Sequence, residues 1–277
     1  LSGACTHLAT VGSTNDWLLA NADTLGDGHW VRADRQTAGR GRRGRVWNDG
    51  AGNLMTSVLV RAAGPNAGKV QQLSFVAAVA LLEAVAEVTS PLAGEVDSRV
   101  SAAGEGWPAL PTSADPSPGP PFGRLSTSPA RGEVFSLKWP NDLLLHGTKC
   151  AGILLERQGD WLVIGFGVNL AHHPQGTERP ATSLAAAGLP VPPPQALQAA
   201  LASAFSNWRA IWAHQGFAPI RAAWLAHAAG LGQRLVARLG DENPEGVFTG
   251  LADDGALLLQ LDDGAVRAIH AGEVFAV

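Results

Sequence analysis

Four arginines lie within six residues in Gly39-Arg40-Gly41-Arg42-Arg43-Gly44-Arg45, and glycines separate them. Glycine lets backbone approach an anion closely and take up positive φ. Guanidinium groups offer forked donors that match phosphate or carboxylate oxygens. Such a loop suits a polyphosphate and an acid held together. A solvated basic loop or an RNA-binding arginine/glycine tract would use the same residues. RNA tracts, however, tend to repeat and carry aromatics, and this one stands alone in an acidic chain.

Three further clusters carry chemistry. Lys138-Trp139-Pro140-Asn141-Asp142 places a lysine, an amide and a carboxylate around a proline turn, which suits an anion and its Mg²⁺. An ordinary strand-to-turn corner reads the same way. Lys149-Cys150-Ala151-Gly152-Ile153-Leu154 leads a lysine into an apolar strand whose glycine permits backbone contact with a ligand. A snorkelling surface lysine is the bland alternative. Gly165-Phe166-Gly167-Val168-Asn169-Leu170 is a glycine-bearing strand ending in an Asn able to read an adenine edge.

The elements that position these clusters follow from periodicity and turn residues. Thr14–Ala22 has helical spacing, capped by Ser13 or Thr14. His29–Ala33 and Leu54–Arg61 are strands flanking the arginine loop, and Val70–Val88 is an Ala/Leu/Val helix apolar on most sides. Between Pro91 and Arg131 lie eight of the eighteen prolines, with many Gly and Ser. That composition predicts an inserted, disordered excursion, with a functional lid as the competing reading. A strand over Val134–Lys138, a hairpin pairing Leu143–Leu145 with Ala151–Glu156, and a strand over Trp161–Asn169 come next. Helices are predicted at Pro194–Trp212 and Phe217–Ala228. From Leu235 onward, alternation between the turns Asp253-Asp254-Gly255 and Asp262-Asp263-Gly264 predicts a small module of about five strands.

The net charge of -4 argues against bulk attraction to nucleic acid or anionic membranes. Cys5 and Cys150 are too few and too far apart for a disulfide framework or a zinc site, so free thiols in a reducing cytoplasm are expected. No continuous apolar run reaches the roughly 18 residues of a spanning helix, and residues 1–15 do not read as a signal peptide. Only a dozen residues precede Ser13, so no N-terminal DNA-binding domain is expected, although Leu1 is not methionine and a longer native start stays open. The weak P-loop likeness of Gly64 to Val70 lacks the right spacing and a Ser/Thr after Lys69. His172 and His173 lack a suitably spaced third metal ligand.

In this order the motifs resemble the biotin–protein ligase family, in its monofunctional form. The resemblance rests on Ser13-Thr14-Asn15, Gly39 to Arg45, Lys138 to Asp142, Lys149 to Leu154 and Gly165 to Asn169. It covers the chain apart from the proline-rich insertion. It implies an α+β fold: a class II synthetase-like mixed sheet with flanking helices over residues 1–230, interrupted at about 91–131, and a small SH3-like β-barrel over residues 231–277. It implies ATP-dependent activation of biotin to biotinyl-5′-AMP, then transfer to a specific lysine of a biotin carboxyl-carrier domain such as that of acetyl-CoA carboxylase. Mg²⁺ accompanies ATP. No DNA or membrane partner is expected, and self-association into a homodimer is left open.

Site roles follow as implications of that resemblance. Ser13, Thr14, Asn15, Gln36, Gly39, Arg40, Arg42, Lys149 and Gly152 would hold biotin. Arg40, Arg42, Arg43, Arg45, Trp47, Lys138, Asn141, Asp142 and Asn169 would hold ATP, with Trp47 stacking on adenine and Asn169 bonding it. Asp142 would lie on the metal side. Arg42 and Lys149 would be the catalytic charges. The loop Gln36 to Trp47 is expected to order over ligand and exclude water. The nearest rivals share the fold: a lipoate ligase, or an octanoyltransferase using Cys150 as nucleophile. A rival of another class is a nucleotide- or RNA-binding protein without enzymatic activity.

Overall fold

The computed structural model describes residues 4–47, 51–90, 134–176, 180–240 and 242–277. The proline-rich stretch at about 91–131 lies outside the described residues. Seven strands form a mixed sheet: β1 (Cys5–Val11), β2 (Trp30–Gln36), β3 (Leu54–Arg61), β4 (Phe135–Lys138), β5 (Asp142–Leu145), β6 (Thr148–Gln158) and β7 (Trp161–Val168). Their spatial order is β1-β2-β3-β7-β6-β5-β4. The β1–β2 pair is parallel and every other neighbouring pair is antiparallel.

Strand alternation assigns the two faces of this sheet. On β7, Leu162, Ile164, Phe166 and Val168 join the main core, beneath helices α2 (Leu73–Thr89), α3 (Pro194–Gln215) and α4 (Ala218–Ala226). Val163, on the other face, packs with Leu59, Val31 and Leu18, the last from helix α1 (Thr14–Ala20). On β7 the intervening positions are then Gly165 and Gly167, so that part of the second face carries no side chains of its own. This bare stretch of sheet is where the site lies.

Residues 68–89 are long and, averaged over 18 residues, apolar enough to cross a bilayer, although no unbroken apolar run reaches that length. The reason is structural: this segment contains α2, whose Val76, Ala80, Leu81 and Ala84 are fully buried in the protein's own core. Strand β1 is absent from the sequence reading, because its side chains are largely exposed and show no apolar run. The Leu145-to-Thr148 turn is tighter than expected, since His146 and Gly147 both take positive φ (48° and 75°) and close a two-residue hairpin.

The C-terminal segment forms a five-stranded antiparallel sheet, consistent with the SH3-like expectation: β8 (Arg234–Arg238), β9 (Glu245–Leu251), β10 (Leu257–Gln260), β11 (Val266–Ile269) and β12 (Glu273–Ala276), in the order β11-β10-β9-β8-β12. Its Asp turns are held by side chains, Asp254 accepting from the Ala256 N–H and Asp263 from the Ala265 N–H, both at 2.9 Å. Phe248, Leu257 and Ile269 belong to the same continuous core as the large sheet. Trp139 Nε1 donates to the Gly255 carbonyl at 3.1 Å, so the Trp-Pro corner is tied to this second sheet.

Candidate active site

The start of α1 supplies a buried polar cluster. Ser13 caps the helix by accepting from the Asp16 N–H (3.4 Å), and Thr14 and Asn15 are buried behind it. Gln36, at the end of β2, accepts from both the Thr14 N–H (2.8 Å) and the Thr14 hydroxyl (3.0 Å). Its carbonyl is therefore committed, and its amide NH₂ remains as donor. Ser57 of β3 lies 2.7 Å from Thr14 Oγ1 and donates to Asn15 Oδ1 at 2.6 Å. Asn15 Nδ2 donates to Glu156 Oε2 at 2.7 Å. Neither Ser57 nor Glu156 was expected. The available signal was a Thr-Ser pair inside an otherwise apolar strand, both side chains being fully buried.

The arginine loop is a small hairpin. Arg40 and Val46 form a backbone bridge, the Gly41 N–H donates to Arg45 O (2.7 Å), and the Trp47 N–H donates to Gly39 O (3.0 Å). Arg42–Gly44 makes its 3₁₀ tip, with Arg43 at φ 57°. Three site cations have carboxylate partners. Arg40 bonds Asp16 (2.6 Å) and Glu156 (3.0 Å), which raises its pKa, chiefly through Asp16, and holds Asp16 below the usual carboxylate range. Arg45 meets Glu273 of β12 at 2.9 Å, and Lys149 meets Asp142 at 2.6 Å. Arg42 differs. Its hydrogen bond goes to a neutral amide, Asn141 Oδ1 (3.3 Å), and burial lowers its pKa against the pull of Asp142.

Gly152 of β6 and Gly167 of β7 are direct cross-strand partners, and they floor a cavity of about 420 Å³, a normal size for a small-molecule site. The Trp47 indole lies on that floor. A Cβ on Gly152 would come within 3.3 Å of it, and one on Gly167 would come within 2.8 Å of its Nε1. Lys149 Nζ sits 6.0 Å from the Trp47 ring. Two buried polar atoms at this site have no hydrogen-bond partner, Trp47 Nε1 and Asn169 Oδ1. Buried polar groups are normally satisfied, so these two atoms are unmet polar demand on residues that line the cavity.

Most expected residues converge on the cavity, and three do not line it. Lys138, expected as a phosphate contact, lies outside the cavity lining, its ammonium 5.2 Å from the Phe275 ring centroid of β12. Arg43 is exposed at the hairpin tip. Gly39 acts from behind, because a Cβ there would come within 3.0 Å of Gln36 Nε2 and Trp47 O. Asp142 is committed to Lys149, and among the described residues there is no cluster of three metal-ligating His, Cys, Asp or Glu side chains. Glu273 was unforeseen, being supplied by the C-terminal sheet.

A Cβ on Gly165 would overlap Asn15 Oδ1, and Asn15 is pinned at both ends of its amide. Gly165→Ala should therefore weaken binding of biotin, the ligand that the sequence resemblance implies, about tenfold, since overpacking of this kind costs roughly 1–3 kcal/mol. Calorimetric titration with biotin checks it, and an unchanged affinity would mean that Asn15 can yield.

The mixed sheet, the arginine loop and the appended five-stranded sheet define a protein of the α+β class with a small-molecule-sized cavity lined by cationic side chains. Residues 8–169 match the model of the biotin/lipoate A/B protein ligase family, and residues 230–277 match that of the biotin protein ligase C-terminal domain. The chain belongs to the biotin/lipoate A/B protein ligase family. It is 38% identical to a biotin–[acetyl-CoA-carboxylase] ligase of Paracoccus denitrificans, over 97% of this chain and 98% of that one. The corresponding ligase of Mycobacterium tuberculosis is 30% identical, over 96% and 86%. Among solved structures, the biotin protein ligase of Aquifex aeolicus in complex with biotin and ATP has the same fold (TM-score 0.73, 23% identity, 99% of each chain). The Leishmania major ligase in complex with biotinyl-5-AMP aligns at TM-score 0.61 and 26% identity, over 97% of this chain and 99% of that one.

Proposed function

We propose that this pocket couples biotin to ATP and delivers the biotinyl group to a lysine of a carrier protein. The observation that carries the reading is the convergence of Arg40, Arg42 and Lys149 on one cavity, floored by Gly152 and Gly167 beneath the Trp47 indole, beside the buried polar cluster of α1. The ureido ring of biotin has N–H and C=O groups that need partners when buried. Ser13, Thr14, Asn15 and the Gln36 NH₂ supply both kinds. The carboxylate then points toward the cations.

In the first step a biotin carboxylate oxygen attacks the α-phosphorus of ATP, and pyrophosphate leaves. Two anions must approach, so positive charge fixed in advance lowers the barrier, and holding both reactants in register supplies much of the rest. Arg42 and Lys149 are placed for this. Mg²⁺ would enter with the triphosphate, with Asp142 on its side, and would neutralise phosphate charge. In the second step the acceptor lysine amine attacks the acyl carbon, an amide forms and AMP leaves. Trp47 and Asn169 face the adenine. The preferred acceptor is the biotin carrier of acetyl-CoA carboxylase, and we place the activity in the cytoplasm.

The transferase alternative needs a nucleophilic thiol. Cys150 is fully buried on the helix side of the sheet, and burial pushes its thiol up to about 12. A thiolate there is inaccessible at neutral pH. Cys150→Ala should accordingly keep full activity. Its inactivation in a folded variant would restore the thiol to the mechanism. The reading as a whole is tested by ATP–pyrophosphate exchange with purified protein. Exchange should depend on biotin, not on lipoate or octanoate, and absence of biotin-dependent exchange would overturn it.

A further inference from the structure

We propose that Asn53 is a positioning residue for the adenine end of the site, acting through the turn that presents Asn169; this rests on the ATP-dependent ligase reading. Asn53 immediately precedes β3 and is buried. Its Oδ1 accepts three consecutive backbone N–H groups, those of Leu170 (2.9 Å), Ala171 (3.1 Å) and His172 (3.1 Å). Its Nδ2 donates to the His172 carbonyl at 3.0 Å. Three successive N–H groups converging on one point form a concavity that normally receives an anion. Here a single uncharged side chain fills it and also satisfies a carbonyl of the same turn.

Only an amide serves both ends. Aspartate keeps the acceptor but sets a second oxygen against the His172 carbonyl, and alanine leaves three N–H groups without their acceptor. The neighbouring Gly52 (φ 87°) lets the two segments close up, since a Cβ there would lie 3.3 Å from Ala171 Cβ.

The turn fixed in this way begins one residue after Asn169. Asn169 is itself held by its N–H to Cys150 O (2.8 Å) and by its Nδ2 to Thr182 O (3.0 Å). That leaves its Oδ1 as a buried acceptor without a partner, on a residue that lines the cavity. An acceptor there welcomes the exocyclic amine of adenine and repels the O6 of guanine. Asn53 thus sets base selectivity from a position outside the pocket lining.

The test measures biotin-dependent pyrophosphate exchange with the full chain, varying ATP, GTP and biotin. Asn53→Ala should raise the KM for ATP about tenfold, reduce the preference for ATP over GTP, and leave the KM for biotin unchanged. In an Asn169→Ala background the same substitution should add nothing, because both residues act through one acceptor. Asn53→Asp, which keeps the acceptor, should show a smaller rise confined to ATP, and it serves if the alanine variant does not fold. An unchanged KM for ATP, equal effects on ATP and biotin, or additivity with Asn169→Ala would each overturn the role. Calorimetric titration of the same proteins with ATP reads the role without turnover. A wild-type chain without exchange would therefore sink the ligase reading while Asn53 is still judged on nucleotide affinity.

Discussion

Lys149→Ala should slow biotin-dependent ATP–pyrophosphate exchange by about a hundredfold, the scale seen when one fixed donor to a developing charge is removed. The sequence at this point does more than supply a lysine. Across the β5–β6 pair, Leu144 faces Lys149 while Leu143 faces Ala151, so Cys150 is the extra residue of a β-bulge. Bulges re-aim side chains beside active sites. This one buries Cys150 in the core and leaves Lys149 on the cavity, 2.6 Å from Asp142. The ion pair complicates the test, because removal of the lysine leaves a largely buried carboxylate unpaired, which is destabilising in itself. The double variant Lys149→Ala/Asp142→Asn removes that liability. Exchange that stays slow in the double variant, at recovered thermal stability and well below that of Asp142→Asn alone, assigns the loss to the missing lysine charge. A normal rate in Lys149→Ala alone would take the residue out of the chemistry.

The parts of the site legible in sequence are those whose meaning is local. Gly152 and Gly167 stand where a strand interior would ordinarily carry a side chain, and that signals close approach before any pairing is known. The pairing adds that they are opposite one another, and so make one bare patch rather than two. The arginine loop is legible as an anion site because its residue types have few other uses at that density. Its ligand-free charge balance is not, since Asp16, Glu156 and Glu273 reach Arg40 and Arg45 from three different elements. Lys138 shows the converse. Within its motif it looks like a phosphate ligand, but the docking of β12 places an aromatic ring where its ammonium ends. Only tertiary structure decides between those destinations. Ser57 and Asn53 were passed over for a related reason: a polar residue at a strand reads as neutral until the partners across the fold are known.

Arg42→Gly should leave the protein folded and still able to make adenylate, more slowly for want of one fixed charge, but unable to keep it. Arg42 is half-buried at the hairpin tip and is bonded to an amide, so its loss strands no carboxylate partner of its own. Loop substitutions of this kind usually cost little stability. What goes is a charge-assisted bond to the bound anion, worth about 1.5–3 kcal/mol, or roughly ten- to a hundredfold in residence of the adenylate. A third glycine beside Gly41 and Gly44 also enlarges the loop's freedom when open. Released acyl adenylate reacts with any accessible amine, so the variant should biotinylate a bystander protein such as serum albumin while the parent chain does not. Gel filtration of enzyme with labelled biotin and ATP measures retention directly. Retention equal to the parent's would show that the hairpin, closed by its Arg40–Val46 bridge and by Arg45–Glu273, seals the site without this guanidinium. Arg40→Gly provides the contrast. It strands Asp16 and Glu156, and Glu156 also holds Asn15, so its first effect should fall on biotin affinity rather than on adenylate escape. Opposite signatures from two arginines two residues apart would separate the group that closes the site from the group that shapes it.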